Sequence, residues 1–159
     1  VSGSFVLGSS PGIPALKTPA SAGVFAYSER VNIAYVSTWI VILALGAVSL
    51  FQIALILGAP MGEYAFGGQN AGKLPVKFRV LSVITLLVYL GIIGHMFAQL
   101  DYLPRLLPAG LNAAANWAIF ALNVLGLIMN SITRSKKERD MWVPVALLLA
   151  VASFFVALG

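Results

Sequence analysis

The chain has 159 residues, of which 60% are apolar and 9% are charged, whereas an ordinary soluble domain carries roughly 25% charged residues. A composition this apolar excludes a water-soluble globular domain, and the length leaves room for one domain. The net charge of +5 comes from cations that lie beside apolar runs. This placement indicates a role in membrane topology or in contact with anionic headgroups, rather than nucleic-acid binding. The chain has no cysteine, which excludes disulfides and thiolate chemistry.

Residues 1–30 are predicted to form a flexible tail ahead of the membrane domain. Gly, Ser, Pro and Ala dominate this stretch, and Pro11, Pro14 and Pro19 would interrupt a helix. A binding role for the tail is the alternative. The remaining residues, 31–159, are predicted to form the transmembrane domain.

Four apolar runs predict four membrane-spanning helices, at about 33–57, 80–100, 112–131 and 142–158. The runs are near the ~20 residues needed to cross a ~30 Å hydrocarbon core. Because the connections are short, neighbouring helices are expected to be antiparallel. The predicted fold class is therefore all-α, a membrane-spanning antiparallel four-helix bundle with up-down-up-down order.

The segment before the fourth run carries a helix-start signal. Ser135 and Glu138 have the S-x-x-E spacing of a capping box. Pro144 fits either the first turn of a helix or a kink just inside it. The sequence leaves these two interpretations open.

Asparagines recur along the third run at spacings of four, seven and seven, which places them on one helical face: Asn112, Asn116, Asn123 and Asn130. An amide that faces lipid would lack a hydrogen-bond partner, so this face is expected to turn inward. Asn123 is expected near mid-membrane, bonded to Tyr89 or to a carbonyl beside a glycine. Gln52 of the first run also needs a partner.

His95 is the only histidine. We expect it to be hydrogen-bonded within the bundle, and a proton relay is the alternative. Together with the other intramembrane polar groups it defines a candidate polar seam, which consists of Tyr89, His95, Asn116, Asn123 and Asn130.

The loop after the first run contains five glycines and two prolines, and it is expected to be ordered. Glu63 is its only acid and precedes three cations. The favoured interpretation is a shaped interfacial turn in which Glu63 pairs with a nearby cation. The alternative is a partly re-entrant loop that grips a headgroup or a small anion.

Basic residues are concentrated in two loops, 58–79 and 132–141, which hold seven cations: Lys73, Lys77, Arg79, Arg134, Lys136, Lys137 and Arg139. The tail and the loop 101–111 hold three cations: Lys17, Arg30 and Arg105. The positive-inside rule then places both basic loops in the cytoplasm and both termini outside. With Glu63 and Gln69, the seven cations are candidate contacts for lipid, an anion or a partner protein; the alternative is that they only set topology.

Two segments resemble a group of small bacterial integral membrane proteins that carry no assigned function. The first reads Gly-Ala-Pro-Met-Gly-Glu-Tyr-Ala-Phe-Gly-Gly-Gln at residues 58–69, and the second runs from Met129-Asn130-Ser131 through Glu138-Arg139 and Trp142 to Pro144-Val145. The resemblance covers roughly residues 45–159. It implies a four-helix protein of the bacterial inner membrane, and it implies no substrate, cofactor or active residue.

The function predicted from these patterns is a non-enzymatic membrane protein that interacts with lipid, including anionic lipid, or with a partner membrane protein. One such partner is a second copy of the chain, which would make the protein a homo-oligomer. The alternative is a small oligomeric transporter or channel with the asparagine face lining the path, and a lipid-modifying enzyme ranks third. No catalytic residue, metal site or cofactor is predicted, because the sequence has no triad, carboxylate pair or phosphate-binding glycine motif.

The assigned topology predicts that Ser2→Cys and Gly159→Cys react with a membrane-impermeant maleimide on intact cells. Each variant carries a single thiol, because the chain has no cysteine of its own. Labelling that occurs only after the cells are broken open would reverse the orientation.

Overall fold

The computed structural model describes residues 19–159, with side chains from residue 33 onward. In this part of the chain the long elements are four helices, α1 (Pro19–Leu57), α2 (Val76–Gln99), α3 (Ala109–Ile132) and α4 (Lys136–Leu158). Two short 3₁₀ turns, Gly62–Tyr64 and Phe66–Gly68, lie between α1 and α2. Each long helix has a segment long and apolar enough to cross a membrane, and in α1 this segment is Ile33–Leu57. The all-α prediction with four such helices is confirmed.

The helices begin earlier than the apolar runs indicated. Positions 80, 112 and 142 were the predicted starts of α2, α3 and α4, but the N-cap residues are Pro75, Pro108 and Ser135. An apolar run marks the part of a helix that suits lipid, whereas the helix itself begins at a cap or after a proline. Pro144 lies inside α4 and beyond its first turn, which excludes the first-turn interpretation.

The N-terminal part of the chain is described only in part. α1 begins at Pro19, inside the predicted flexible tail 1–30. Proline is tolerated in the first turn of a helix, where its missing N–H has no intrahelical partner to lose. Residues 1–18 of the predicted tail lie outside the described residues.

The helices pack in the lateral order α2, α1, α4, α3. Side chains from all four helices form one apolar core, which includes Val41 of α1, Met96 of α2, Ile119 of α3 and Leu149 of α4. α2 and α3 are next to each other in the bundle, but they make few contacts along their length.

A second apolar cluster lies beneath the α1–α2 loop. Phe51 and Leu55 of α1 pack there with Ala65 and Leu74 of the loop, and Trp142 of α4 packs against this group. We call this the loop end of the molecule. The opposite end, where α2 connects to α3, is called the far end.

The end of α1 is tied to the start of α2 by Arg79. Its guanidinium donates to the carbonyl oxygen of Ile56 through Nε at 2.8 Å and through Nη2. Carbonyls in the last turn of a helix have no intrahelical partner, so this contact satisfies one of them. The up-down order of the four helices across a membrane stays a prediction.

Candidate functional site

The first turn of α4 is the anchor for the α1–α2 loop. The Ser135 hydroxyl accepts a hydrogen bond from the Glu138 backbone N–H at 3.2 Å and donates to the carbonyl oxygen of Glu63 at 2.8 Å. The Glu138 carboxylate accepts from the Gly67 N–H at 2.9 Å and from the Thr133 hydroxyl at 2.6 Å. The capping serine therefore forms as predicted, but the glutamate side chain turns to the loop instead of completing the box.

Two further contacts hold the same loop. The indole N–H of Trp142 donates to the carbonyl oxygen of Tyr64 at 2.7 Å. The Lys137 ammonium pairs with the Glu63 carboxylate, and both side chains are partly solvated. This pairing agrees with the interpretation of a shaped turn with Glu63 bound to a cation. We call the contacts of Ser135, Lys137, Glu138 and Trp142 with the loop the loop dock.

Gly68 is required where the loop meets α4. Its φ angle is +66°, and a Cβ built on it would lie 2.5 Å from the Ser135 Oγ. The backbone of the loop therefore approaches the α4 cap more closely than any side chain would allow.

A cluster of four polar side chains joins α2 to α3 at the far end. His95 Nε2 and Asn116 Oδ1 are 2.8 Å apart. Gln99 and Asn112 exchange two hydrogen bonds, of 2.8 and 3.0 Å. We call these four residues the polar clamp. Because its members sit at one end, the clamp joins α2 and α3 there and leaves them free to separate elsewhere.

Between α2 and α3, from mid-height to the loop end, lies a cleft of about 810 Å³. Its walls are mostly apolar and come from α2 and α3, with α1 and α4 behind; the lateral wall residues are Ile84, Val88, Leu122, Leu125 and Met129. Volumes of ~300–1,000 Å³ are typical of ligand sites. The cleft is the principal candidate site of the described chain.

The mouth of the cleft at the loop end is polar and charged. Arg134 and Gln69 are exposed there, and Glu138 is 8% exposed on the wall. Thr133 and Asn130 complete this rim. Asn130 donates its amide N–H to the carbonyl oxygen of Gly126, one turn earlier in α3, at 2.8 Å.

Two amides on the cleft wall have an unpaired atom. Gln52 Oε1 and Asn123 Nδ2 are buried and have no hydrogen-bond partner among the described residues. The expected bond from Asn123 to Tyr89 or to a carbonyl is therefore absent, because the separation of α2 and α3 puts open space beside both Asn123 and Tyr89. An unsatisfied buried amide carries an energetic cost.

The predicted polar seam divides into two sites. His95 and Asn116 belong to the clamp, whereas Tyr89, Asn123 and Asn130 line the cleft. All of the asparagines in the predicted face are on the side of α3 that meets α2 or the cleft. The division follows from the separation of α2 and α3 along the cleft, a quantity that residue spacing does not contain.

The predicted cationic contacts also separate by environment. Arg79 and Arg139 donate to backbone carbonyls, of Ile56 and Thr133 respectively, and Lys137 pairs with Glu63. The Lys77 Nζ atom lies 4.9 Å from the centre of the Phe78 ring. The remaining three cations are exposed at the loop end: Lys73, Arg134 and Lys136.

Glu63 and His95 lie at opposite ends, and neither lines the cleft. A pocket that joined them would have favoured a lipid-modifying enzyme. Within residues 33–159 no group of three or more His, Cys, Asp or Glu side chains is arranged to hold a metal ion.

Glu138 and Trp142 were absent from the predicted site. Their only sequence signals were the capping spacing for Glu138 and membership of the second resemblance segment for both. Neither signal indicates that a glutamate will accept from an amide 71 positions away in the chain.

Comparisons with protein families, with curated proteins and with solved structures found no match for this chain. The resemblance to small bacterial membrane proteins stays a prediction. The structure does place its two segments in direct contact, because the loop dock joins residues 63–67 to residues 135–142.

The loop dock predicts that Gly68→Ala exposes the loop more than Gly72→Ala. Both positions have positive φ, +66° and +80°, but only a Cβ at Gly68 meets another atom within 4 Å. Backbone strain of about 1–2 kcal/mol should affect both variants, and the clash with Ser135 should add about 1–3 kcal/mol at Gly68 alone.

Tryptic cleavage at Lys73 in sealed vesicles with the loop end outward would measure this difference. Gly68→Ala should be cut faster than Gly72→Ala, and the original protein slowest. Equal rates for the two variants would show that the close approach to Ser135 does not hold the loop.

The polar clamp predicts measurable coupling between His95 and Asn116. Intramembrane hydrogen bonds average about 0.6 kcal/mol and reach about 1.7 kcal/mol. A double-mutant cycle of His95→Ala and Asn116→Ala, from unfolding in mixed detergent, should give a coupling energy in this range. His95→Ala with Leu111→Ala is the control, because Leu111 is exposed on α3 and should be additive. A His95–Asn116 cycle as additive as the control would contradict the clamp.

Proposed function

We propose that this chain is a multi-pass membrane protein that binds a lipid without acting on it chemically, in the cleft between α2 and α3. The observation that carries the proposal is the shape of the cleft. It has apolar walls between two membrane-length helices and a charged mouth at one end. An amphiphile with an apolar chain and a polar head matches this distribution.

The depth of the cleft supports a lipid from one leaflet. The lining extends along α3 from Leu122 to Thr133, roughly 16 Å at 1.5 Å per residue. That is about half of a ~30 Å hydrocarbon core. A lipid with its headgroup at Arg134 would place its chain along Met129 and Leu125.

The exposed cations at the loop end support the same orientation. Lys73 and Lys136 are exposed and stand outside the loop dock. Each cation near an anionic membrane surface contributes about 1 kcal/mol of attraction. On the predicted topology, these cations would concentrate lipid of the cytoplasmic leaflet around the cleft mouth.

The transport alternative receives less support from the geometry. The four clamp residues do not line the cleft, so the lining ends before the far end. A continuous path along the asparagine face would require the clamp to open. The partner-protein alternative is different, because a helix of a second copy could occupy the same apolar walls.

Gly126 offers a way to fill the cleft without disturbing the bundle. It lines the cleft, and a Cβ built on it meets no heavy atom within 4 Å. Gly91 of α2 is a matched control, because its Cβ is equally unobstructed and it is not among the cleft lining. Glycine is a poor helix former, so neither substitution should destabilise its helix.

The proposal predicts that Gly126→Phe loses bound lipid and Gly91→Phe retains it. Native mass spectrometry of protein released from lipid nanodiscs counts both lipids and protein copies. Retained lipid in both variants would overturn the proposal. If the original protein is a dimer and Gly126→Phe converts it to a monomer without loss of lipid, the occupant of the cleft is instead a second copy of the chain.

A further inference from the structure

Glu138 is a buried carboxylate without a cation. It is 8% exposed and lines the cleft, and its contacts are a backbone amide and a hydroxyl, both at Oε2. Among residues 33–159 the ion pairs are Arg105–Asp101 and Lys137–Glu63, so no cation lies within 4.0 Å of the Glu138 carboxylate. A buried charge is expensive unless it is paired.

The neighbouring cations Arg139, Lys137 and Arg134 do not pair with the Glu138 carboxylate. Arg139, the next residue, directs its guanidinium to the carbonyl oxygen of Thr133 at 3.2 Å. Lys137 pairs with Glu63 outside the cleft. Arg134 lines the cleft mouth and is exposed, outside ion-pair distance of Glu138.

The cleft mouth therefore presents one cation and one anion that are not paired with each other. A headgroup with a phosphate and an ammonium has the complementary pair of charges. The phosphate matches the planar guanidinium of Arg134, which binds phosphate through paired N–H groups. The ammonium matches the Glu138 carboxylate.

We infer that the cleft selects a phospholipid whose headgroup carries a phosphate and an N–H-bearing ammonium, as phosphatidylethanolamine does. The inference rests on the proposed lipid-binding function and names the lipid class. An ethanolamine ammonium can donate hydrogen bonds to the Glu138 carboxylate. A choline headgroup has the same charge but no N–H, and a glycerol headgroup has no positive charge to offset Glu138.

The wild-type protein provides the first test. It is equilibrated in nanodiscs with equal parts of phosphatidylethanolamine, phosphatidylcholine and phosphatidylglycerol of the same acyl chains, and the lipids that co-purify are counted. Phosphatidylethanolamine should be enriched about tenfold over phosphatidylcholine, the factor that corresponds to about 1.4 kcal/mol. In the series of N-monomethyl, N,N-dimethyl and N,N,N-trimethyl headgroups, the largest loss should come at the last step, where the final N–H disappears.

Two variants assign the contacts. Glu138→Gln keeps a carbonyl oxygen for the Gly67 amide and the Thr133 hydroxyl but removes the charge, so it should still bind lipid while losing the ethanolamine preference. Arg134→Gln should weaken all three phospholipids by a similar factor, because all three carry the phosphate. Lys136→Gln is the matched control, since Lys136 is exposed at the same end and is not in the cleft lining.

The outcomes separate this inference from the function on which it rests. Two results together would overturn the headgroup assignment and leave lipid binding intact. The first is that Gly126→Phe displaces the bound lipid, and the second is that the wild-type protein shows no preference for phosphatidylethanolamine. An ethanolamine preference that survives in Glu138→Gln would also overturn it. Loss of the preference with unchanged tryptic protection of Lys73 would support it, because the loop dock would then be shown to persist.

Discussion

The rest of this structure depends on the hydrogen bonds that the start of α4 makes with the α1–α2 loop. Ser135, Glu138 and Trp142 bind three consecutive parts of the loop backbone. These contacts cross more than 70 positions of sequence and connect the end of α1 to the start of α4. They also satisfy backbone groups that a glycine-rich loop cannot pair internally. These hydrogen bonds hold the loop to α4 beside the end of α1.

The cleft is a consequence of how α2 and α3 are held at their two ends. At the far end the polar clamp draws α2 and α3 together through side chains. At the loop end α2 is held to α1 by Arg79, whereas α3 is packed on α4. Two helices joined at one end and attached to different neighbours at the other must diverge. Lipid chains are as apolar as leucine, so in a membrane no hydrophobic effect drives such a gap to close.

One carboxylate connects the architecture to the proposed site. Glu138 accepts hydrogen bonds from the loop and from Thr133 while its side chain forms part of the cleft wall. A neutral glutamine at this position would serve equally well if the role were only structural, because its amide oxygen can accept the same two hydrogen bonds. In the site proposed above, the carboxylate is the feature that would give the cleft mouth a preference between headgroups. Loop position and headgroup binding would then be coupled through a single side chain.

The sequence by itself determined the class of this protein, because apolar runs of membrane length, low charge and four inward-facing asparagines are local or periodic properties. It also indicated the capping role of Ser135 and the pairing of Glu63 with a cation. Only the tertiary structure decided that Glu138 faces a cleft, that Asn116 meets His95 while Asn123 has no partner, and that Arg79 serves a helix end. These outcomes depend on the distance between α2 and α3 and on contacts between distant segments. Residue spacing specifies which side of a helix an amide occupies, but not how far away the facing helix lies.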